Sequence, residues 1–92
     1  MKADIKKDEE WDVIKQQEVI MYTVPLWPHC VRAKRFLSGK GILFTERNIL
    51  FPKHLKELRT VTDEIGVPVT IVGERILTRF SSVEYEEVFK NY

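Results

Sequence analysis

The run YTVPLWPHCVRAKRFL, residues 22–37, decides how this chain is read. It has the form of the end of a buried strand, a tight turn and the start of a helix. Pro25 closes the strand. Pro28 suits the first turn of a helix, where its missing N–H and fixed φ cost nothing. The chain's single thiol, Cys30, falls just inside that helix, three positions after Trp27. The helix is expected to run to about Ser38, burying Val31, Ala33, Phe36 and Leu37, with Gly39 and Gly41 as its stop.

Upstream, residues 19–24 (VIMYTV) are nearly all apolar and rich in β-branched and aromatic types, which suits a central strand covered on both faces. Residues 1–17 form a polar lead-in to a domain that spans 18–92. Ile5, Trp11 and Ile14 would mark one face of a short helix there. The plain reading is an extension that packs Trp11 onto the domain, and the sharper one is a partner-docking arm.

Downstream, residues 42–49 (ILFTERNI) alternate apart from Leu43 and predict a second strand. Pro52 opens another helix, with Leu55, Leu58, Thr62 and Ile65 at helical spacing and Gly66 as its stop. Two short runs, 67–72 and 75–78, flank Gly73 and Glu74 and predict a hairpin. Ser81 and Glu84 make a capping-box pattern for a last helix, on which Tyr85, Val88, Phe89 and Tyr92 share a face. The resulting order, β-α-β-α-β-β-α, is an α/β layer structure with a parallel βαβ unit and a terminal hairpin.

Composition narrows the function classes. Ninety-two residues make one small domain, and 43% hydrophobic with 32% charged residues describes a soluble globular chain. A net charge of +1 offers no basic field for nucleic acid. The apolar runs are too short to span a bilayer, and the charged stretch 2–10 has no signal-peptide core. One cysteine cannot form an internal disulfide, so a reducing cytoplasm is the expected compartment.

Residues 19–89 resemble a glutaredoxin, within the thioredoxin-fold superfamily, and are most similar to the small proteins of the NrdH-redoxin type. The resemblance is carried by Tyr22, Thr23 and Pro25, then by Pro28 through Leu37 around Cys30. The strand 41–49, the segment 66–70 with Pro68, and Gly73 and Phe80 at the family's spacing also carry it. It implies a thioredoxin-like four-stranded mixed sheet flanked by helices, and thiol–disulfide exchange with glutathione or a disulfide-bearing protein. No resident cofactor is implied.

The resemblance departs at the chemistry. The family motif is Cys-Pro-x-Cys, and here it reads Trp27, Pro28, His29, Cys30. Residues 31–37 fix the register, so Cys30 corresponds to the resolving cysteine and Trp27 stands where the attacking one would be. A thiol at the helix N-terminus is favoured as thiolate, the form that attacks a disulfide. Cys30 lies about one helical turn deeper. Trp27 has no side-chain acceptor to cap that turn, and beside Leu26 it suggests a hydrophobic surface patch. Either the lineage lost dithiol chemistry while keeping the shape, or position 27 has been altered.

The supporting positions are mixed. Pro68, after Val67, resembles the family's cis-proline, whose preceding backbone pairs with peptide or glutathione. The glycine and acid that flank the family's aromatic near Phe80, and help hold the γ-glutamyl end of glutathione, are Arg79 and Ser81 here. Val24 precedes Pro25, where glutathione users often have lysine. Arg79 would hold a carboxylate or simply be a solvated strand-end charge. His29 beside Cys30 would tune the thiol or bind metal, but adjacent helical residues point apart and His54 is distant, so no metal is expected. The expectation is therefore a monomeric glutaredoxin-like protein with a degenerate site and weak or lost redox activity. The alternative is a non-catalytic module holding an extended peptide between Trp27 and Pro68.

Overall fold

In the computed structural model, which describes residues 17–64, 66–90 and 92, the apolar run becomes β1, Val19–Thr23, with four of five residues buried. Helix α1 follows at Pro28–Gly39, then β2 at Thr45–Asn48, α2 at Pro52–Val61, β3 at Val69–Val72, β4 at Arg75–Leu77 and α3 at Ser82–Phe89. The strands lie in the order β2-β1-β3-β4. β1 pairs in parallel with β2, Thr23 opposite Asn48, and antiparallel with β3, Tyr22 opposite Val69. β4 closes the hairpin antiparallel to β3. The expected α/β order and mixed sheet are present, and β1 is interior, paired along both edges with residues buried on both faces.

Period-two alternation along β1 divides the core. Val19 and Met21 pack with Ala33 and Leu37 of α1 and with Tyr85 and Phe89 of α3. Tyr22 faces the other way, against Leu58 of α2 and Val69. The chain leaves α1 through Gly41, whose φ of 72° favours glycine, and Ile42 N–H returns to the Leu37 carbonyl at 2.9 Å. Gly73, with φ 60°, makes the tight hairpin turn.

Several boundaries differ from the sequence expectation. α2 ends at Val61: Thr62 is extended (φ −151°, ψ 150°), and its hydroxyl takes the Glu64 N–H at 3.1 Å. A β-branched residue with a competing side-chain acceptor ends the helix there, so Thr62 is not part of its apolar face and Gly66 is not its stop. Ile65 lies outside the described residues. β2 begins at Thr45 rather than 42, and β3 begins after Pro68, which has no N–H for the ladder. α1 buries Cys30, Ala33 and Leu37 fully, whereas Val31 and Phe36 are only partly covered. Ile5, Trp11, Ile14 and the proposed leading helix lie outside the described residues.

Candidate functional site

The edge of the sheet where β1 and β2 end, and where β3 begins, gathers the residues of interest. The turn carrying Leu26 and Trp27 follows β1, and Val67 and Pro68 lead into β3. Leu77 pairs with Thr70, so Thr78 and Arg79 leave β4 at the same edge. Topology thus brings Trp27, Pro68 and Arg79 to one end of the molecule. The Val67–Pro68 peptide is cis and Pro68 is buried.

Trp27 is the N-cap of α1, with φ −73° and ψ 138° and no side-chain capping bond. Its N–H donates to the Val24 carbonyl at 3.0 Å, closing the turn. The ring is 55% exposed and Leu26 beside it is 89% exposed. The apolar surface patch anticipated at this turn is present.

Cys30 is reduced and fully buried. Burial pushes its thiol up from the ordinary value, with the Glu46 carboxylate adding to the rise. A backbone hydrogen bond with Val24 and the Lys34 charge pull it back in part. The balance favours the neutral thiol, the poorer nucleophile.

Behind the turn lies a polar clamp that the sequence reading missed. Thr23 Oγ1 donates to Glu46 Oε2 at 2.6 Å, and Lys34 Nζ donates to the same oxygen at 3.0 Å and to the Pro25 carbonyl at 3.5 Å. Burial alone would raise the Glu46 carboxyl, but its bonds from Thr23 and Lys34 outweigh that and hold it below the ordinary value. Lys34 lies one turn beyond Cys30 on α1, which is a readable spacing. Glu46 comes from another strand, and nothing local to it marks the pairing. A second missed contact joins the Thr70 and Tyr85 hydroxyls at 2.6 Å in the core.

The remaining candidates are dispersed. His29 is exposed, and no group of three or more metal-ligating side chains occurs among the described residues. Arg79 and Ser81 are both exposed. Ser81 caps α3, its Oγ accepting from Glu84 N–H at 3.3 Å, so it has a structural task. Among the described residues, one cavity lies by Leu43 and Tyr92 and another between β4 and α3. Neither is lined by Trp27, Cys30 or Pro68.

The family model named Glutaredoxin matches residues 19–77. An uncharacterised glutaredoxin-like 8.6 kDa protein from the rubredoxin operon of Clostridium pasteurianum is 28% identical, covering 76% of this chain and 95% of its own length. A glutaredoxin of Neisseria meningitidis is 30% identical, covering 73% and 81%. Among solved structures, a glutaredoxin of Archaeoglobus fulgidus superposes with a TM-score of 0.71 at 23% identity, covering 82% and 88%. The glutaredoxin-like NrdH-redoxin of Escherichia coli superposes with a TM-score of 0.68 at 22% identity, covering 77% and 93%. The fold is thioredoxin-like, and the chain belongs to the glutaredoxin family. No helix among the described residues is long and apolar enough to cross a membrane.

Proposed function

We propose that this chain keeps the glutaredoxin scaffold with a degenerate site, in which Trp27 occupies the attacking position and thiol–disulfide exchange through Cys30 is weak or lost. The observation that carries this is the full burial of Cys30 one turn behind the exposed Trp27. Exchange through Cys30 alone would require its thiolate to attack a disulfide sulfur. That step forms a mixed disulfide and releases one thiolate, and a second thiol then resolves it. Glutathione or a disulfide-bearing protein is the matching substrate class, with no resident cofactor and with a cytoplasmic monomer as the working form.

Two measurements test this. Cys30 in the native protein should react slowly with an alkylating probe and fully after denaturation. Fast native labelling overturns the reading. Trp27→Cys should then raise glutathione-dependent reduction of a small disulfide well above the parent. If it gives no gain, the scaffold has drifted beyond redox use.

The exposure of Leu26 and Trp27 supports a second reading, a non-catalytic module that holds an extended peptide across the Trp27 and Pro68 edge. Cys30→Ser would then leave partner binding unchanged, and loss of binding in that variant would remove the reading.

A further inference from the structure

The turn that carries Trp27 has a counterpart. Leu26, Trp27, Pro28 open α1, and Leu50, Phe51, Pro52 open α2. Both aromatics sit at the helix N-cap with no side-chain capping bond. Leu50 is 71% exposed and Phe51 57%. Because β1 and β2 are adjacent and parallel, and Ile49 N–H bonds the Thr23 carbonyl at 2.9 Å, both turns leave the same edge of the sheet. Four large, exposed apolar side chains therefore follow the ends of two neighbouring strands, where exposure to water gains the chain nothing.

Cations predominate in the segments around them. The segments that meet at this edge, residues 24–35, 49–56, 66–70 and 78–82, contain Arg32, Lys34, Arg35, Lys53, Lys56 and Arg79 and no carboxylate. The chain as a whole is balanced at +1, so its acids lie elsewhere. Among the described residues, the carboxylate paired with one of these cations is Glu46, with Lys34. The positive ends of two helix dipoles add to the same field.

We infer that the double turn is a docking surface for an acidic segment of a partner protein, in which one or two large apolar side chains are flanked by aspartate or glutamate. The apolar residues seat against Leu26, Trp27, Leu50 and Phe51, and the acids meet Lys53, Arg79 and Arg32. A bilayer is the weaker match, because the apolar side chains are split between two turns rather than gathered on one face. This rests on the proposed reading that the edge receives a partner, and it extends that edge to Leu50 and Phe51, which involve no sulfur chemistry.

The test uses the full chain and amide NMR, with a blocked peptide bearing Phe-Leu between aspartates as probe and its lysine-flanked counterpart as control. At low salt the acidic peptide should bind at least about tenfold more tightly, shifting amides on both turns, and should lose that preference at about 0.5 M salt. Phe51→Ser, which places a favoured cap residue and so keeps the fold, should abolish the shifts at both turns. Lys53→Glu should reduce the preference for the acidic peptide. Equal binding of the two peptides, shifts confined to the Trp27 turn, or stronger association with anionic phospholipid vesicles than with peptide would each overturn the inference. Trp27→Cys redox gain without acidic-peptide preference would overturn this surface alone. The reverse pattern would overturn the redox reading alone.

Discussion

At the scale of single residues, Cys30 and Tyr85 show how burial sets chemistry. Both are fully buried, and burial pushes both acids up. Tyr85 also has a partner, Thr70, whose hydroxyl hydrogen-bonds with its own at 2.6 Å. Removing one side of that bond leaves the other without a partner in a dry core. Thr70→Val should therefore cost about 1–3 kcal/mol in urea unfolding, and Thr70→Val with Tyr85→Phe less than the sum of the two single changes. Additive losses would mean that the hydroxyls act independently. Trp27 and Cys30 were visible in the sequence as an altered motif. The place of Cys30 one turn inside the helix already pointed to a shielded thiol, and it is fully buried.

At the scale of elements, the sequence reading succeeded where a local signal was strong. The interior strand was marked by an unbroken apolar run, the hairpin by Gly73 between β-branched residues, and α3 by Ser81 with Glu84. It failed where two local signals competed. Apolar spacing carried α2 on to Ile65, but the Thr62 side chain takes a backbone donor and stops the helix at Val61. The clamp among Thr23, Lys34 and Glu46 escaped because it joins a strand end, a helix and a neighbouring strand. Ser81 was read as the cap of α3, and its hydroxyl accepts from Glu84 N–H. Ser81→Ala should accordingly lower stability by about 1 kcal/mol, read by urea melts, and leave Cys30 labelling unchanged. A change in thiol reactivity without a change in stability would give Ser81 a part in the site instead.

At the scale of the whole molecule, these buried and clamped groups give the fold a pH window whose limits follow from the direction of each shift. Glu46 titrates below its ordinary value of 4.5, so the stability that Thr23 and Lys34 confer is complete above that value. It is lost as pH falls through the lower folded value. Cys30 and Tyr85 shift the opposite way. The unfolded chain gives up these protons first as pH rises, so their contribution is full below the ordinary values, 9.0 and 10.0. It drains as pH climbs toward the folded values, which for Tyr85 is about 12. A shift of that size corresponds to about 2–3 kcal/mol at the alkaline end. Urea midpoints should thus hold level through neutral pH, fall in acid below the ordinary glutamate range, and fall again above pH 9. Tyr85→Phe should lower the plateau, because Thr70 loses its partner, yet flatten the decline between pH 10 and about 12. If that variant keeps the full alkaline slope, the loss belongs to another group and the core hydroxyl pair does not set the upper limit.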